Sequence, residues 1–123
     1  MENIGSKLVE LAQLTVSEIS AKETYDRRES GEGVIILDIR EPDETEKGYI
    51  EGAMLLPRGR IEGRIEELIP DKSTCIVAHR MGAGRGALSG HTLKAMGYTN
   101  VFYMNPGFNG WKEANLPIVI PEG

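Results

Sequence analysis

Three short apolar runs, Val34-Ile35-Ile36-Leu37, Cys75-Ile76-Val77-Ala78 and Val101-Phe102-Tyr103-Met104, constrain this chain more than any other feature. Each is too short for a helix and too continuous for a strand with one wet face, so each reads as a strand buried on both sides, the habit of a parallel sheet. Ala53-Met54-Leu55-Leu56 before Pro57 adds another short strand. Helical patterns lie between them. Ile61, Ile65, Leu68 and Ile69 recur at helical spacing up to Pro70, and a second helix should run from about Arg85 to Met96, stopped by Gly97. Pro42 with Asp43 and Glu44 reads as a helical first turn whose acids favour the positive end of the dipole, closed by Gly48. Ser17 is an expected N-cap for a polar helix stopping near Gly31 and Gly33. Asn105-Pro106-Gly107 is a turn signal, after which Phe108, Trp111 and Lys112 begin a last short helix that ends before Pro117. Strands joined by about a dozen helical residues require crossovers, so the expectation is one α/β domain, a parallel sheet with helices on both faces.

Composition fits that expectation and narrows the function. At 123 residues with 40% hydrophobic and 27% charged residues, one core is expected, and no tract is repetitive or of low complexity. Fourteen basic against 19 acidic residues leave a net charge of −5, which argues against nucleic acid as a general partner. A single cysteine, Cys75, cannot close a disulfide within the chain, and with two histidines there is no structural zinc spacing. No metal or cofactor is expected. Nothing at the N-terminus reads as a signal peptide, and no apolar run approaches the ~18 residues of a membrane span, so the expectation is a soluble, cytoplasmic protein with no membrane partner. The oligomeric state is left open.

Ile4, Leu8, Leu11 and Leu14 form one helical stripe, giving an amphipathic helix over residues 1–14 ahead of a domain over 15–120. Its apolar side either docks on the domain or binds a partner.

In an open parallel sheet, ligands collect outside the carboxyl ends of the strands, beside helix N-termini. The stretch His79-Arg80-Met81-Gly82-Ala83-Gly84-Arg85-Gly86 occupies that position. Gly82 and Gly84 would let the backbone curl with its amides inward as a nest for an anion, and Arg80 and Arg85 bracket it with charge-assisted donors. His79 can serve as an acid or base near neutral pH, or simply hydrogen-bond a neighbouring loop. Arg40, Arg58, Arg60 and Arg64 follow the carboxyl ends of earlier strands, so either they face the same crevice or they are solvated charges balanced by Glu41, Glu62, Glu66 and Glu67. Asp38 and Arg40 are expected as a structural pair near the sheet edge, His91 as a surface or packing residue, and Phe108 and Trp111 as core aromatics.

Three blocks in order carry a family resemblance. Leu37-Asp38-Ile39-Arg40-Glu41-Pro42-Asp43-Glu44, then Gly48-Tyr49-Ile50-Glu51-Gly52-Ala53 with Pro57, and finally Leu93-Lys94-Ala95-Met96-Gly97-Tyr98-Thr99-Asn100-Val101 with Gly107-Phe108-Asn109-Gly110-Trp111-Lys112 and Leu116-Pro117, resemble the signatures of the rhodanese-like (sulfurtransferase) domain. The resemblance spans about Thr15 to Pro117 and implies a five-stranded parallel sheet flanked by helices. Active members hold a cysteine at the start of the loop, in the pattern Cys-x-x-Gly-x-Arg-Ser, and that cysteine accepts sulfur from a donor such as thiosulfate as a persulfide.

Aligned from Leu93 without a gap, this chain places Arg85 on the family arginine, Gly86 on the serine and Arg80 on the nucleophile. A guanidinium has no free lone pair to accept sulfur. Ala83 replaces the loop glycine, Tyr49 the usual histidine, and Pro106 the first glycine of the late pair. Cys75 meets the bare spacing Cys-x4-Arg with Arg80, yet Ile76, Val77, Ala78 and His79 between them favour an extended strand and give no glycine turn around the sulfur. The expected function is therefore a rhodanese-like domain without sulfurtransferase activity, whose residue 79–85 loop binds a small anion of the sulfate, thiosulfate or phosphate class or an acidic group of a partner protein. Two alternatives stand beside it: an active thiosulfate or persulfide sulfurtransferase using Cys75 or a partner thiol, and a purely structural interaction module.

Overall fold

A computed structural model describes residues 4–81 and 86–122 of the chain. Five strands form a parallel sheet in the order β1 (Ser17–Ile19), β6 (Val101–Met104), β5 (Ile76–His79), β2 (Ile35–Asp38) and β4 (Met54–Leu55). The three apolar runs become the three inner strands, with β5 at the centre. All of β5 is buried, and its neighbours β2 and β6 are nearly so.

Alternation along these strands divides the core in two. Leu37, Ile76 and Val101 face one cluster, where Ile61 and Ile65 of α4 (Ile61–Leu68) and Ala87 and Leu93 of α5 (Gly86–Ala95) are buried. Ile36, Val77 and Met104 face the other, which holds Ala21 of α2 (Ala21–Glu29) and Phe108 and Trp111 of α6 (Gly107–Glu113). Helices thus cover both faces, as a sheet buried on two sides requires.

The first helix leaves its apolar stripe uncovered by the domain. α1 (Ile4–Thr15) packs on α5, but the stripe Ile4, Leu8, Leu11 and Leu14 points away from the domain. Ala12 and Val16 are the buried positions instead. Val16, directly after α1, seats its side chain on Gly90 of α5, where a Cβ would lie 2.8 Å from Val16 Cγ1. Spacing had defined a stripe without saying which side meets the domain.

Ser17 also differs from its expected role, opening edge strand β1 rather than capping a helix. Ser20 is the cap of α2, its Oγ accepting from the Glu23 backbone N–H at 3.0 Å. The helix expected at Pro42 is α3 (Pro42–Thr45), where the Glu44 carboxylate accepts from the Glu41 N–H. A small antiparallel pair, β3 (Tyr49–Ile50) with β7 (Ile118–Val119), was not anticipated; it ties the end of the chain beside Gly48.

Candidate functional site

At the carboxyl end of the sheet, parallel register aligns Asp38 of β2 with His79 of β5. Arg40, two residues beyond Asp38, folds back on it. Its Nη2 donates to Asp38 Oδ2 at 2.8 Å and to the Gly48 carbonyl at 2.8 Å, while Nε donates to Asp38 Oδ1 at 3.0 Å. Both side chains are buried, at 1% and 0% exposure. This corrects the expectation of a pair near the sheet edge, since β2 lies between β5 and β4. A guanidinium buried so fully needs its charge matched and its donors used, and the fork geometry of arginine supplies both. Its carbon lies 4.2 Å from the centroid of Phe108, adding a cation–π contact. β2, the turn at Gly48 and α6 are therefore pinned to one another by one side chain.

His79 is completely buried beside this pair. Nδ1 lies 2.9 Å from the Arg80 carbonyl, which can only accept, so that nitrogen carries the proton. Nε2 has no hydrogen-bond partner and sits 3.8 Å from Asp38 Oδ2. Burial, opposed by the Asp38 carboxylate and the Arg80 hydrogen bond and reinforced by the Arg40 charge, pushes the imidazole below its usual range. A neutral histidine in a closed packing position is the result, rather than an exposed acid or base.

Arg80 is half-buried directly after β5, and Met81 next to it is exposed. α6 fixes the backbone of both. The Phe108 N–H donates to the Arg80 carbonyl at 2.8 Å and the Asn109 N–H to the Met81 carbonyl at 3.0 Å. Gly107 makes that junction possible, because a Cβ there would collide with the Arg80 carbonyl oxygen. Gly86 plays a similar part at the start of α5, where a Cβ would press on the Ala78 carbonyl oxygen at 3.0 Å. Gly82, Ala83, Gly84 and Arg85, expected to shape the anion nest, lie outside the described residues.

A cavity of about 240 Å³ opens beside Met81. Phe108, Met81 and Gly48 give it apolar and backbone surface, Arg40 forms a wall, and Lys47, Lys112, Asp43 and Glu44 bring charges of both signs. Of the four upstream arginines, only Arg40 lines it. Arg58 donates to Ser89 Oγ on α5 at 3.2 Å, Arg60 is exposed, and Arg64 pairs with Glu67 at 3.6 Å. Lys47 and Lys112 were not singled out from the sequence, although Lys112 belongs to the Gly-Phe-x-x-Trp-Lys block that carried the resemblance.

Cys75 is placed elsewhere. It precedes β5 at the amino end of the strand, 8% exposed in the cluster that holds Ile19, Val34 and Ile36, and four strand residues separate it from Arg80, about 16 Å of extended chain. Burial, partly offset by Arg27, pushes its thiol above the usual range. Among the described residues no group of histidine, cysteine, aspartate and glutamate side chains could hold a metal ion, and no helix is long and apolar enough to cross a membrane.

The model of the rhodanese-like domain matches residues 20–114. The chain belongs to the rhodanese-like domain family. This domain is 35% identical over 108 residues to a sulfurtransferase of Allochromatium vinosum, covering 88% of the chain and 99% of that protein. It is 32% identical over 97 residues to a candidate sulfur carrier protein of Bacillus subtilis, where it covers 79% of the chain but spans only about half, 51%, of the relative. Among solved structures, a possible tyrosine phosphatase of unknown function from Rhodopseudomonas palustris superposes with a TM-score of 0.87 at 26% identity, covering 97% of this chain and 96% of that one. The thiosulfate sulfurtransferase of Pseudomonas aeruginosa gives 0.82 at 26% identity, with 94% of this chain matched to 22% of that one. The single-domain α/β fold with its five-stranded parallel sheet is thus that of the family.

Proposed function

We propose that this rhodanese-like domain binds a small anion of the sulfate, thiosulfate or phosphate class, or an acidic group of a partner protein, beside Arg80, and does not carry sulfur on a thiol of its own. One observation carries the reading: a guanidinium-bearing residue follows the carboxyl end of β5, while the only cysteine lies buried at the amino end of the same strand. A thiol must ionise and be reached to take up sulfur, and Cys75 is disfavoured on both counts. Arg80 cannot accept sulfur but can hold an oxyanion. Lys47 and Lys112 on the adjoining cavity support an acidic ligand, and Asp43 and Glu44 beside them make its binding weak and sensitive to salt.

Purified protein is expected to show no thiosulfate-to-cyanide sulfur transfer above background. Sulfate or phosphate should raise its thermal midpoint more than chloride at equal ionic strength, and Arg80→Gln should remove the difference. Equal protection by chloride, or by sulfate in the variant, overturns anion binding at this place.

The sulfurtransferase of Allochromatium vinosum, matched over nearly its whole length, favours a second reading in which sulfur transfer persists through a partner thiol or Cys75. Mass spectrometry after thiosulfate treatment separates the two. An added sulfur atom on Cys75, together with a transfer rate abolished by Cys75→Ser, establishes the second reading and removes the first.

A further inference from the structure

We propose that two copies of this chain associate through the outer side of α1 and the groove between α1 and α5. The surface is too apolar to be ordinary solvent-facing helix. Ile4, Leu8, Leu11 and Leu14 are 78%, 52%, 59% and 82% exposed, in a chain where 27% of residues are charged. Together they form a contiguous apolar patch on the scale of the ~300–600 Å² largest patch that a typical monomer carries. Two-fold pairing of such patches, with the groove walls included, reaches the ~1,000 Å² at which specific interfaces begin.

Shape and charge favour a second copy over a different partner. A symmetric interface must be complementary to itself, so ridge and groove have to lie side by side on one patch. Here they do: the leucine ridge of α1 borders a groove of about 290 Å³ whose walls include Leu8, Ala12, Leu88 and His91. The only charged residues within α1 are Lys7 and Glu10, of opposite sign and on one flank of the ridge. With α1 antiparallel to its copy and the two-fold axis near Leu8, Lys7 of each copy meets Glu10 of the other. Two copies of a chain with net charge −5 repel least where the surface carries so little net charge.

Sedimentation velocity of the full chain over a range of concentrations is expected to show a monomer–dimer equilibrium. Leu11→Asp should weaken it by about tenfold or more with unchanged far-ultraviolet circular dichroism, because that side chain is open in the monomer. Ile120→Asp, which alters an equally exposed residue outside the patch, should leave it unchanged. Lys7→Glu should weaken association and adding Glu10→Lys should restore it. The proposal is overturned if the native chain stays monomeric throughout, if Leu11→Asp dimerises as tightly as the native chain, or if Ile120→Asp disrupts the dimer equally.

Discussion

The two ends of β5 are built from the same strand yet handle polar chemistry in opposite ways. At the amino end, Cys75 sits among aliphatic side chains with the Arg27 charge close by, and burial outweighs that charge to push its thiol above the usual range. At the carboxyl end, Asp38, Arg40 and His79 are buried at least as deeply, yet there the carboxylate and the guanidinium meet in a fork of hydrogen bonds. Depth alone therefore does not decide how polar groups are accommodated in this domain. The directed hydrogen bonds do, and the buried ion pair that makes them lies at the end where the parallel strands release their loops.

The comparison is broken most severely by removing one charge from the matched end. Asp38→Ala leaves the Arg40 guanidinium buried without its carboxylate and should cost about 3–5 kcal/mol in urea denaturation. Replacing both with apolar residues of similar volume should cost much less, since no uncompensated charge remains. A loss below about 1 kcal/mol for Asp38→Ala would mean that Arg40 escapes to solvent and the pair is not the clamp its hydrogen bonds describe.

Moving the thiol from one end to the other is the next largest change. In Cys75→Ala/Arg80→Cys the cysteine follows the strand at the half-buried position and should react with a disulfide reagent about a hundredfold faster than native Cys75. Sulfur transfer gained by that variant would show that the loop has kept an anion-receiving backbone and that Arg80 alone blocks the family reaction. Reactivity as slow as that of Cys75 would remove the contrast between the two ends.

Gly107→Ala tests how the carboxyl end is held. The added methyl group meets the Arg80 carbonyl oxygen, so α6 must retreat and loosen the Phe108 and Asn109 hydrogen bonds, with a cost of about 1–3 kcal/mol. Weaker sulfate protection should accompany the loss. A variant as stable as the native protein would show that α6 does not fix the loop.

Much of this was legible in the sequence, for identifiable reasons. The buried strands announce themselves because residues that face helices on both sides must all be apolar, as Ile76, Val77 and Ala78 are. β1 was missed because an edge strand of three residues with two exposed, Ser17 and Glu18, leaves no such run. β3 and β7 are too short for any periodicity, and their pairing joins distant parts of the chain. At the site, the strand-to-helix position of Arg80 followed from strand order. The enclosure of Arg40 did not, because it depends on Phe108 and Gly48 arriving from other elements. A charged residue reads as surface until its partners are placed.

The smallest effect sharpens the comparison by separating His79 from the ion pair beside it. In the folded protein its imidazole is held below the ordinary value of 6.5, chiefly by burial, whereas the unfolded chain binds a proton near that value. Below pH 6.5 the unfolded state therefore takes up more protons than the folded state. Stability should be fully present above that pH and decline as the pH falls, by at most about 1.4 kcal/mol per pH unit for one proton. His79→Asn keeps an N–H that can reach the Arg80 carbonyl but does not titrate, so it should flatten this slope between pH 6.5 and the onset of carboxylate protonation. Denaturant titrations at stepped pH measure it directly. If the variant loses stability on acidification as steeply as the native protein, His79 is already protonated in the fold, its Nε2–H turned to Asp38, and the carboxyl end holds a third matched charge.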